Sequence, residues 1–159
     1  MVREVLMTIY NTLEDFKNFI EGVVQNERLL TKTNKIKIPQ VKLGYLDENE
    51  GDQEKEDFPY IIVRYMKDQV EDDEAIVSIK ILFGVYSEDS GGWIDIIHCM
   101  EVLKREILRR YSFDFYRVQL PIKCSIPEEQ PFPYFIGTME LDLIIPRIEI
   151  EGDEEPWPV

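Results

Sequence analysis

The chain has 159 residues, a length that fits one domain burying roughly two thirds of the surface its unfolded form exposes. Eighteen basic residues stand against 32 acidic ones, a net charge of −14, which excludes the cationic footprint of a duplex DNA binder and disfavours anionic membranes. The longest apolar run, Ile81–Tyr86, is six residues, far short of the about 20 that a membrane-spanning helix needs.

In chain order, the first predicted element is an amphipathic helix over 2–24. Val2, Val5, Leu6, Ile9, Leu13, Phe16, Ile20, Val23 and Val24 recur at steps of three and four, with Arg3, Glu4, Asn11, Glu14 and Asn18 opposite. Gly22 marks its expected fraying end. The charged residues among the first fifteen predict no signal peptide. Residues 35–46 alternate loosely through Ile36, Ile38, Val41, Leu43 and Tyr45, and Pro39 restricts them to an edge strand. Residues 47–57 hold seven acids and one lysine, predicting a solvated loop that binds no metal tightly.

FPYIIVRYM at 58–66 and residues 75–86 predict an antiparallel hairpin closed by an acidic turn at 67–74. On the second strand Ala75, Val77, Ile79, Ile81, Phe83 and Val85 share one face, while Leu82 and Tyr86 make the other apolar toward its end. A second helix follows, which Ser90 could cap, with Trp93, Ile96, Ile97, Met100, Leu103, Ile107, Leu108 and Tyr111 as its expected core stripe. A short strand over 113–120, a proline-rich loop over 121–133 and a long strand over 134–145 complete the order. The pattern predicts one α+β domain over 1–147, a mainly antiparallel sheet with two helices packed on one face, and an acidic tail over 148–159. The expected core joins the two helix stripes to Val77, Ile79, Ile81, Phe83, Leu141 and Leu143.

The sequence offers little chemistry. The single histidine, His98, sits away from the expected core stripe, and its neighbour Cys99 points elsewhere on a helix. Two cysteines, Cys99 and Cys124, predict reduced thiols in place of a disulfide framework. Gly91-Gly92 lacks the Lys-Ser or Lys-Thr of a phosphate loop, and no Gly-x-Ser-x-Gly elbow occurs. Asp47–Asp52 resembles the start of a calcium loop, but its glycine falls at position five and Phe58 occupies position twelve. Glu140 and Asp142 share a strand face, as a polar outer surface would. No catalytic, cofactor or metal residue is therefore assigned, and the chain is not expected to be an enzyme.

One surface stands out. Ile94, His98 and Val102 are spaced by four opposite the expected core stripe, with Arg105 and Arg109 on the same side. A small apolar patch flanked by arginines in an acidic chain fits a charge-complementary protein interface. Sheet-edge residues around Tyr60–Tyr65 and the aromatic pair Phe132 and Tyr134, stiffened by Pro131 and Pro133, are further interface candidates.

FPYIIVRYMKD at 58–68, VSIKILFGVYSEDSGGWIDIIHCMEVLKREIL at 77–108 and PIKCSIPEEQPFPYFIGTMELDLIIP at 121–146 together resemble tail terminator or tail-completion proteins. These are small neck proteins of long-tailed phages and prophages of Gram-positive bacteria. The resemblance spans Phe58 to Pro146. It implies an α+β subunit that closes a ring, usually hexameric, on the finished tail tube and meets the head connector. The implied partners are further copies of the chain, the tail-tube protein and the connector. The implied location is the virion, with host cytoplasm during assembly. Other phage virion or assembly proteins, such as a tail-tube subunit or chaperone, and an acidic protein-binding module are the alternatives.

Overall fold

A computed structural model describes residues 8–27, 38–46 and 58–146. The loop at 47–57, the tail at 148–159, Ile36, and Val2, Val5 and Leu6 of the first stripe lie outside them. Seven elements follow in order: α1 (Ile9–Glu27), β1 (Gln40–Leu43), β2 (Tyr60–Val70), β3 (Glu74–Tyr86), α2 (Gly92–Arg110), β4 (Arg117–Ser125) and β5 (Tyr134–Pro146). The strands form one sheet in the order β1-β2-β3-β5-β4. Only β1 pairs in parallel, with β2; the other three ladders are antiparallel. The predicted α+β class, with two helices on one face of a mainly antiparallel sheet, is the observed one.

The period-two pattern explains which face is covered. Val77, Ile79, Ile81 and Phe83 of β3 stand beside Leu143, Leu141, Met139 and Gly137 of β5, and Ile61 and Val63 of β2 continue the row. These residues pack with Leu13, Phe16 and Ile20 of α1 and with Ile96, Leu103 and Ile107 of α2 in one apolar core. α1 lies over β1 and β2, and α2 over β5, β3 and β4.

Among the described residues α1 starts at Ile9, and it runs further than its sequence predicts. Thr8 caps it, its Oγ1 accepting the Asn11 N–H at 3.0 Å. Gly22 does not end the helix, which continues to Glu27. On α2 the expected cap is also different. Gly91 holds the cap position without a side-chain bond, and Asp89, not Ser90, organises the turn by accepting the Gly91 N–H at 2.7 Å.

The phase of α2 is the largest correction. Ile96, Met100, Leu103 and Ile107 are buried as expected, but Trp93, Ile97, Leu108 and Tyr111 are exposed, while Cys99 and Val102 are buried. Apolar residues occupy more than half of this helix's circumference, so periodicity alone does not choose the buried arc. The sheet chooses it. A side chain at Gly137 would collide with Ile96, so the bare backbone of β5 is the notch into which Ile96 fits.

Two strands outrun their expected ends. β2 passes a bulge at Met66 and pairs Lys67, Asp68, Gln69 and Val70 with Ser78, Val77, Ile76 and Ala75. The turn is therefore only Glu71–Asp73, closed by the Glu71 N–H donating to the Glu74 carbonyl at 2.7 Å. Solvated charged side chains do not prevent a ladder between backbones. β4 likewise continues through Pro121 to Ser125, with its register shifting between Gln119 and Lys123. An edge strand tolerates proline at such a shift because no partner needs its missing N–H.

Candidate protein interface

The sequence-predicted surface residues separate into two groups. Ile94, His98, Arg105 and Arg109 are exposed along α2. Val102 is not: at 5% exposure it belongs to the core with Leu103, because the helix seats itself further round than its stripe indicates. Arg105 and Arg109 both reach Glu106, at 3.3 and 3.0 Å. These exposed pairs contribute little to stability, so the guanidinium groups stay near the surface at little cost.

The exposed arc of α2 is more apolar than the predicted patch. Trp93, at 47% exposure, joins Ile94, Ile97 and Leu108 on the outside. These residues lie about one to three turns apart along one side of the helix. Sequence reading assigned Trp93, Ile97 and Leu108 to the core. The signal that could have corrected it was the surplus itself: too many large apolar residues for one helix seat.

The aromatic candidates divide in the same way. Tyr60 is only 3% exposed, its ring lying against Gly84, where any side chain would collide with it. It forms a second apolar cluster with Phe58 and Ile62 on the sheet face away from the helices. Tyr134 packs against this cluster, its ring stacked on Phe58 at 4.7 Å and edge-on to Tyr86 at 5.5 Å. Leu82 and Tyr86 also join it, as the apolar end of that strand face predicts. Phe132 alone stays outside, 60% exposed and touching Phe135 only edge-on at 6.1 Å.

Among the described residues the outer half of β2 is open on one side. β1 pairs with Tyr60–Val63 and no further. The chain turns away at Gly44, whose N–H still donates to the Val63 carbonyl at 2.8 Å. Arg64 fixes that turn, donating to the Gly44 carbonyl at 2.9 Å and lying 4.0 Å over the Tyr45 ring. Among the described residues no strand pairs with β2 on this side beyond Val63. Tyr65, Met66 and Val70 are exposed there, next to the acidic turn Glu71–Asp73.

The remaining features are held by structural contacts. A groove of about 460 Å³ crosses the helix-free sheet face between the Met66 and Pro121 irregularities. Its floor mixes signs: Ser78 donates to Asp142 at 2.7 Å, with Glu140 between Lys80 and Lys123 on neighbouring strands. Burial pushes the Cys99 thiol up to about 12, aided by the nearby Asp95 charge, and burial also raises Cys124. Neither is a poised nucleophile. Burial, then the hydrogen bond to Asp15 at 2.6 Å, raises the Tyr116 hydroxyl. That bond ties α1 to the segment after α2. Among the described residues no group of three or more metal-ligating side chains could hold an ion. No protein-family model matches the chain, and no curated protein matches it in sequence.

Proposed function

We propose that this chain is a non-catalytic structural subunit of the phage neck. It assembles as a ring on the end of the tail tube, stops tube growth and offers its other side to the head connector. The observation that carries the reading is the outward apolar arc of α2 on a strongly acidic subunit. A surface of large apolar side chains beside cations is suited to a protein partner. The resemblance over Phe58–Pro146 supplies the kind of assembly. The charge of −14 supports it too, because a ring that passes DNA must not hold phosphate, and close acidic groups repel it even through salt.

The test combines gene order with binding. Genes for a portal protein, a capsid protein and a tail-tube protein are expected beside this one. The purified chain, mixed with tubes polymerised from that tail-tube protein, is expected to cap one tube end in electron micrographs. Neighbouring genes of another kind, or tubes with bare ends, would overturn the proposal.

A further inference from the structure

The exposed outer half of β2 and the exposed arc of α2 match each other in order and in charge. On α2, Ile97 is followed by Leu108 about 16 Å further along, and then by Arg109. On the hairpin, Tyr65 is followed on the same sheet face by Val70 after about 13 Å of strand, because the bulge at Met66 sets these two residues opposite Ile79 and Ala75, and then by Glu71, Asp72 and Asp73. Each surface thus reads apolar, gap, apolar, charge, and the terminal charges have opposite signs.

The topology aligns the two surfaces. The start of α2 lies at Gly137, where Ile96 is seated. Its end lies near Leu143, because the Val118 N–H donates to the Tyr111 carbonyl at 3.0 Å and Val118 stands beside Leu143. α2 therefore runs in the direction of β5. Two antiparallel steps, through β3, give β2 that same direction. The two surfaces also lie to different sides of the sheet's midline, since α2 covers β5, β3 and β4 while β2 lies on the far side of β3 from β5. A rotation about an axis along the strands keeps both directions, so one copy can approach the next without inversion.

We propose that the occupant of the α2 arc is a second copy of this chain, whose β2–β3 hairpin lies along α2 in parallel orientation. Tyr65 meets Ile94 and Ile97, Val70 meets Leu108, and the acidic turn meets Arg109. The contact joins two different patches, so it repeats from copy to copy until a ring closes. It deepens the ring reading of the preceding section and names the surfaces that form the ring.

Disulfide trapping in the full chain tests it, with Cys124→Ser as background and Cys99 left buried. Val70→Cys and Leu108→Cys are made singly and together. Under mild oxidation, mixing the two single variants is expected to give a crosslinked dimer that neither gives alone. The double variant is expected to give a ladder of crosslinked species ending at the ring number. Adding Arg109→Glu is expected to cut the mixed product about tenfold or more, and Glu71→Arg with Asp73→Arg on the other variant to restore it. Circular dichroism melts of each variant show that it is folded. Should a charge-reversal variant fail to fold, the neutral Arg109→Gln takes its place. Absence of the mixed product from folded variants, or equal product from either single variant alone, would overturn the contact. A ladder ending at two would keep the contact and overturn the ring, which separates this inference from the function on which it builds.

Discussion

The two helices are equal in length, at 19 residues each, and differ in how much apolar surface they carry beyond their seats. α1 confines Leu13, Phe16, Ile20, Val23 and Val24 to one buried stripe, and Asn11, Glu14 and Asn18 face water. Its partly buried Phe19 is covered by Phe113 at 5.0 Å and by the Arg110 guanidinium at 5.6 Å. α2 buries a similar stripe, yet leaves Trp93, Ile94, Ile97 and Leu108 outside. A helix whose apolar arc matches its seat is finished within the subunit. A helix with a surplus keeps area for something else.

The comparison breaks most visibly in the core, where the effects are largest. Phe16→Ala on α1 is expected to cost about 3–5 kcal/mol, and Leu103→Ala on α2 about 2–5 kcal/mol, measured by urea denaturation. Ile81→Ala beneath both helices belongs in the same range, since Ile81 is wholly buried between β2 and β5. A loss under 1 kcal/mol, well below this range, at either helix position would show that its buried face is misassigned.

A smaller effect tests what seats α2. Gly137→Ala places a methyl group against Ile96, and overpacking of this kind costs about 1–3 kcal/mol. Ile96→Ala removes the Cγ2 methyl that the new side chain would meet, so the double variant should be less destabilised than the two single losses added together. Strict additivity would mean that Gly137 does not set the helix position.

Tyr116 joins the two helical regions and adds a pH signature. Its hydroxyl is held above the ordinary value of 10.0, first by burial and then by donation to Asp15. The folded chain therefore keeps this proton more tightly than the unfolded chain does. The stabilisation is complete below about pH 10 and is lost as pH rises beyond it. Tyr116→Phe is expected to lose about 1 kcal/mol near neutrality. The gap to the parent should then narrow above about pH 10, because the variant has no phenol to ionise. Denaturation curves across that range give the check, and a constant gap would contradict the assignment.

How much of this was legible in sequence depends on how many answers each pattern allowed. Strand β3 alternates through its middle, so a one-residue error would bury Ser78 and Lys80. Its phase was readable, and with it the core residues Val77, Ile79, Ile81 and Phe83. α1 was readable for the same reason. The register of α2 was not, because Trp93, Ile97, Val102 and Leu108 are all apolar, and the seat is set by close approaches at Gly137 and Gly92 that the spacing does not show. Strand ends at Val70 and Ser125 were hidden because backbone pairing passes through charged residues and through an edge proline. For the candidate surface, Ile94, Arg105 and Arg109 could be found by spacing, and the exposed Trp93 could not.

The smallest effect is the most specific to the comparison. Replacing Ile97 by Ser removes an apolar side chain from the outside of α2, where it is 39% exposed. Little buried contact is lost, and surface substitutions usually stay within about 0.5 kcal/mol. Ser is a slightly poorer helix former than Ile only to a similar small degree. The same substitution at Ile20, fully buried on α1, would remove comparable apolar area from the core and strand a hydroxyl there, at a cost of several kcal/mol in the manner of a cavity variant. Ile97→Ser should therefore melt close to the parent while its apolar arc is interrupted at the centre. Any association of the parent at high concentration, read by light scattering, should weaken in that variant and stay unchanged in a more exposed control such as Tyr10→Ser, on the outer side of α1. If Ile97→Ser instead unfolds the chain as Ile20→Ser does, the two helices are equally finished, and the outward surplus of α2 is not a surface in reserve.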